Sequence, residues 1–115
     1  MRGTRAHRAG GAVINIVEQY ADIVIKELSP FAIVLYGSYA KGNQHEDSDI
    51  DVAVIFDGFM GDWLETSSLL WRLCRNVSFD IEPILLDRTK DKSGFVQNIF
   101  KTGQIIYHNG SNCAR

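Results

Sequence analysis

The sequence predicts an α/β domain of the α+β kind: a mixed, partly antiparallel sheet with helices packed on one face. Three observations carry this. Two short apolar runs, Phe31 to Tyr36 and Val52 to Phe56, are rich in β-branched and aromatic residues and bounded by turn-formers, so they read as buried strands. Longer stretches with apolar residues at helical spacing alternate with them. A third strand-like run contains Pro83, which removes a ladder donor and places that run at an edge or a bulge. At 115 residues and 45% apolar, the chain supports one domain with a genuine core.

Taken in order, residues 1–11 form a flexible basic segment with Arg2, Arg5, His7 and Arg8, and without the apolar stretch of a secretory signal. The folded domain is expected over 12–108, and 109–115 as a loose tail. Val13, Ile16, Val17, Tyr20, Val24 and Leu28 define a helix whose other side carries Glu18, Gln19, Asp22 and Lys26. Ser29-Pro30 ends it, because the residue before proline avoids helical geometry. After the two strands, Asp57-Gly58 is turn chemistry. Met60, Trp63, Leu64, Leu70, Trp71 and Cys74 then recur at helical spacing. They predict a second helix covering the sheet, with Asp62 at its start and both tryptophans packing the core.

Asn76 opens a third strand, Val77 to Leu86, with Phe79, Ile81 and Pro83 on one face and Asp80 and Glu82 on the other. Residues 87–93 read as a polar linker with Asp91 or Ser93 as a cap. Phe95, Val96, Ile99 and Phe100 give a short amphipathic helix, stopped by Lys101-Thr102-Gly103. Gln104 to Tyr107 reads as a last short strand.

The stretch between the first two strands carries the chemistry. Asp49 and Asp51 open the second strand and share a face, their α-carbons about 6.5–7 Å apart. That spacing lets two carboxylates converge on one or two hard cations. Gly37 permits a sharp turn and close approach to a ligand. Ser38 and the amides after it would open a helix, whose unpaired N–H groups favour phosphate. Glu46 and Asp47 add charge beside Asp49 and Asp51, and a divalent cation would relieve the repulsion. His45 has no evident partner and reads as exposed.

Gly37-Ser38, ten residues, then Asp49-x-Asp51 resembles the signature of the DNA polymerase β-like nucleotidyltransferase superfamily. The short chain is similar to its minimal nucleotidyltransferase branch, whose members often stand beside a HEPN-type partner. The resemblance covers Phe31 to Tyr107. It implies a nucleotidyltransferase-type fold and metal-dependent transfer of a nucleoside monophosphate, AMP from ATP, to an acceptor hydroxyl. Asp49 and Asp51 would hold Mg²⁺ or Mn²⁺. Gly37 and Ser38 would position the β/γ phosphates, and Lys41 resembles the basic residue that meets the triphosphate. Two candidates stand for the third acid. Asp80, preferred, resembles the hydrophobic-Asp-hydrophobic pattern, and Glu82 resembles the version of some small bacterial relatives. The resemblance also implies a HEPN-type helical partner, or a homodimer, completing so small a domain. A second reading is an antitoxin-like module that neutralises its partner by occlusion without turnover.

Other chemistries fit less well. Haloacid-dehalogenase-type phosphatases carry DxD after an apolar strand, whereas here the apolar run follows. Metal-dependent glycosyltransferases resemble longer chains without Gly-Ser at this spacing. Aminoglycoside nucleotidyltransferases normally carry an additional helical domain. The formal net charge of −2 argues against a general nucleic-acid binder. No stretch reaches the length of a membrane span. Cys74 and Cys113 sit far apart without metal-ligand spacing, and Cys74, in a helical apolar pattern, reads as a buried thiol, which points to a reducing cytoplasm.

Overall fold

The elements run α1 (Gly11–Leu28), β1 (Ala32–Tyr36), β2 (Ile50–Phe56), α2 (Trp63–Cys74), β3 (Ile81–Asp87), a 3₁₀ turn (Arg88–Lys90), α3 (Phe95–Thr102) and β4 (Gln104–His108). The computed structural model describes residues 11–37 and 49–109. Ser38, Lys41, His45, Glu46, Asp47, Cys113, and both terminal segments apart from Gly11 and Asn109, lie outside the described residues. The strands form one sheet in the order β3-β2-β1-β4. β1 pairs antiparallel with both β2 and β4, while β2 and β3 are parallel. A parallel pair needs a crossover, and α2 supplies it. β3 is an edge strand, where Pro83 can stand without losing a ladder bond to a neighbour.

The central strands are apolar on both faces because both faces are covered. On one side Ile33, Leu35, Ile50, Val52, Val54 and Ile81 pack with Val17, Tyr20 and Val24 of α1 and with Leu70 and Cys74 of α2. The buried Tyr20 hydroxyl donates to the Leu70 carbonyl at 2.9 Å and ties the two helices together. Burial, reinforced by Cys74, pushes the Tyr20 phenol far above its usual range. On the other side Val34, Ala53 and Ile55 pack with Val96 and Ile99 of α3. The α+β class and the mixed sheet are therefore as the sequence predicts, but the helices do not all share a face. The short α3 lies across the sheet from α1 and α2.

Local signals account for most boundaries. Ser29 takes a left-handed conformation (φ 52°) just after α1, and its amide donates to Ile25 at 3.1 Å. Asp62 caps α2 by accepting from the Glu65 amide at 3.0 Å. Asp91 accepts from the amides of Val96 and Gln97 at 2.9 and 3.1 Å and so caps α3. No helix among the described residues is long and apolar enough to cross a membrane.

Two expectations are corrected. Residues 77–80 are not strand, and Phe79 is 85% exposed. The turn that follows α2 occupies them instead: the amides of Val77 and Ser78 return to the Cys74 carbonyl. The tryptophans of α2 do not fill the core either, Trp63 being 44% and Trp71 41% exposed. Leu70 and Cys74, one turn apart, form the stripe that meets the sheet, and Trp71 stands about 100° around the helix from Leu70.

Gly103 ends α3 with an extended backbone, and its use is close packing. A Cβ there would lie 2.7 Å from the Ile99 carbonyl oxygen, 2.7 Å from Val34 Cγ1 and 2.8 Å from the Leu35 carbonyl oxygen. Two of these neighbours are backbone and cannot step aside. Gly103→Ala should therefore destabilise the domain by about 2 kcal/mol. A thermal melt should show a fall of roughly 10 °C, and an unchanged melt would mean that α3 shifts freely on the sheet.

Candidate active site

Strand register assembles the site. Tyr36 pairs with Asp51 across the antiparallel β1–β2 ladder, and Asp51 pairs with Glu82 across the parallel β2–β3 ladder. Directly paired residues share a sheet face, so Tyr36, Asp51 and Glu82 form one row across three strands, about 4.8 Å per step. Asp49 precedes β2 by one residue and falls on the same side as Asp51. The row lies on the α3 face of the sheet, and the Tyr36 ring meets Phe95 edge-on at 6.1 Å between centroids.

Gly37 closes the row from above. Its φ is +79°, a left-handed turn directly after β1. A Cβ there would overlap Asp51 Oδ2, and even the carboxyl carbon of Asp51 stands 3.1 Å from that position. Glycine is required twice over, by the backbone angle and by the room Asp51 occupies.

Electrostatics mark the same group. Burial raises the Asp51 carboxyl, and the charge of Asp49 raises it further. Glu82 is raised first by the hydrogen bond it donates, when protonated, to Asp49, then by burial and by the charges of Asp49 and Asp51. Burial, Asp51 and Glu82 together push the Tyr36 phenol up. Each shift has the direction expected for acidic groups that are partly buried and stand beside one another.

Asp80 sits differently. It precedes β3 in a turn, exposed, with its amide donating to Ser78 Oγ at 3.1 Å and its carbonyl accepting from Ile50. The register thus brings Glu82, not Asp80, beside Asp51. Tyr36 is the member of the row the sequence reading left as ordinary strand. Its position just before Gly37, opposite a DxD carboxylate, was the available signal.

The donor set suits a hard divalent cation such as Mg²⁺ or Mn²⁺, being carboxylate oxygen throughout. Among the described residues no trio of His, Cys, Asp or Glu converges on one point. A cavity of about 820 Å³ opens at the opposite end of the sheet, between Phe31, Phe56, Phe59, Met60 and Arg88, far from these acids.

A mixed four-stranded sheet, two carboxylates paired across its β2–β3 ladder and a glycine turn pressed against one of them define a nucleotidyltransferase-type domain. Residues 18–112 match the model of the family described as "Polymerase beta, Nucleotidyltransferase", and the chain belongs to that family. A curated relative from Methanocaldococcus jannaschii, named "Putative protein adenylyltransferase", is 42% identical over 43 residues. That match covers 37% of this chain and 43% of the relative, so the chain spans less than half the length of the curated relative it matches. A crystal structure of a "putative nucleotidyltransferase" from Sulfolobus solfataricus has the same fold, with TM-score 0.65 at 17% identity over 86% of this chain and 83% of that one. A toxin–antitoxin structure with AMP-PNP gives 0.57 at 23% identity over 83% and 76%. The toxin–antitoxin MntA–HepT gives 0.54 at 18% identity over 85% and 75%.

Proposed function

We propose that the domain transfers AMP from ATP to a hydroxyl on a protein, the acceptor being a HEPN-type helical partner. The observation that carries this is the row Tyr36–Asp51–Glu82 beneath the Gly37 turn, with Asp49 beside it. The name of the M. jannaschii relative supports an adenylyl group and a protein acceptor. The toxin–antitoxin structures, one with AMP-PNP, support an ATP-like substrate and a partner protein.

The residues divide the work. Asp49 and Asp51 would hold Mg²⁺ or Mn²⁺, which when bound supplies positive charge against the triphosphate and the departing pyrophosphate. Gly37, Ser38 and the amides after them hold the β/γ phosphates, and Lys41 adds charge there. Glu82 serves as the third acid, a role its pairing with Asp51 supports, and its carboxylate would take the proton from the attacking hydroxyl. The acceptor oxygen then bonds to the α-phosphorus as the bond to the β-phosphate oxygen breaks. Tyr36 and Phe95 form an aromatic wall along this row. The setting is the reducing cytoplasm, a reading supported by Cys74, a buried free thiol.

The test is incubation of the chain with α-labelled ATP, Mg²⁺ and the protein encoded beside it. Label should enter that protein, disappear with chelator, and disappear with Asp51→Asn. Tight binding of the neighbour without label, untouched by Asp51→Asn, would assign occlusion instead.

A further inference from the structure

The outer face of α2 is apolar, exposed and self-complementary. Leu64 (68% exposed) and Trp71 (41% exposed) stand on one line with Ser68 between them, at the i, i+4, i+7 spacing of a helix face. Glu65 and Arg72 flank this line, both exposed and also seven apart. The acid lies in the first turn and the base in the last turn of the helix. A two-fold axis near Ser68 therefore sets Leu64 of one copy against Trp71 of the second, and Glu65 of one against Arg72 of the second, twice over. The small serine at the crossing lets the helices approach to about 8–10 Å. A parallel alignment would instead set Glu65 beside Glu65 and Arg72 beside Arg72.

We propose that α2 is the interface of an antiparallel, two-fold homodimer of this chain. Charge complementarity chooses a second copy as the occupant. The alternation of one acid and one base about an apolar line matches its own inverse, and it offers no single-sign field for a nucleic acid or an anionic membrane. The arrangement also fits the domain's other requirements. Leu70 and Cys74 face the sheet beside Ile50 and Val52, whereas Asp51 and Glu82 point from the opposite side. Both acidic rows stay open in the dimer, each free to meet nucleotide and acceptor. One 12-residue helix spans about 18 Å, so the contact is small and the dissociation constant should be about micromolar.

Sedimentation equilibrium of the full chain from about 1 to 200 µM tests this directly, with a monomer–dimer equilibrium expected. Glu65→Arg alone and Arg72→Glu alone should each weaken the dimer about tenfold or more, by facing like charges. Mixing the two variants, or combining both changes in one chain, should restore wild-type association, because every facing pair is again opposite in sign. Restoration also shows that the single variants are folded. Trp71→Glu, with an unchanged circular dichroism spectrum, should leave monomer only. A wild type that stays monomeric at the highest concentration, a dimer indifferent to the single charge reversals, or a mixture that fails to recover would each overturn the assignment.

Discussion

Glu82→Gln should lower adenylyl transfer at least 100-fold, while Asp80→Asn should stay within about threefold of the wild type, a difference of roughly 2 kcal/mol or more in barrier height. Both changes keep shape and remove one charge, so the contrast reports position alone. Glu82 pairs in register with Asp51, shares a hydrogen bond with Asp49, and has its carboxyl raised by both. Asp80 is held by its backbone to Ile50 but stands exposed in the turn before β3. Asp51→Asn in the same assay sets the floor. Steady-state rates at saturating Mg²⁺ and ATP measure the effect on turnover rather than on binding. Equal losses in the Asp80 and Glu82 variants would mean that the two acids exchange roles when substrate arrives. Full activity in Glu82→Gln would remove it from the mechanism.

The preference for Asp80 in the sequence and for Glu82 in the structure has a definite physical origin. Period-two alternation puts both residues on one face of a continuous strand, and from sequence the strand begins at Val77. The turn that ends α2 consumes residues 77–80, so only Glu82 enters the ladder beside Asp51. Where a strand starts depends on how the preceding helix terminates, and no local pattern in this run records that. The Gly37 turn and the Asp49–Asp51 pair were legible because they are dictated by local backbone and charge. The placement of α3 was not: its amphipathic stripe says that it covers a sheet, and either face would satisfy it. α2 misled for the converse reason. Its apolar residues spread around most of the helix, and only packing decides that Leu70 and Cys74 go in while Leu64 and Trp71 stay out.

Asp87→Ala should destabilise the domain by about 3 kcal/mol, and Asp87→Asn by about 2 kcal/mol, without touching the acidic row. From sequence Asp87 opens a polar linker; in the fold it is the last residue of β3 and only 5% exposed. Its carboxylate accepts from the Gly58 and Phe59 amides at 3.0 and 2.8 Å, and from the amide and hydroxyl of Thr89 at 2.9 and 2.7 Å. It thereby clamps the loop between β2 and α2 onto the end of β3. Alanine leaves those donors unpaired, and asparagine turns an NH₂ group toward one of them. Burial alone would raise this carboxyl, but the hydrogen bonds from Thr89, Phe59 and Gly58 outweigh it and hold it well below the usual carboxylate range. A carboxyl depressed in the folded state contributes stability that is present above its unfolded value, near 3.9, and is lost as pH falls through that value toward the folded one. The gap in melting temperature between wild type and Asp87→Asn should therefore be widest at neutral pH, roughly 8–10 °C, and should shrink below about pH 4. Nucleotide transfer by the variant at 20 °C should remain near the wild-type rate, since the clamp lies at the far end of the strands from Asp51. A gap that stays constant from neutral pH to about pH 3 would show that the carboxylate charge does not hold this loop.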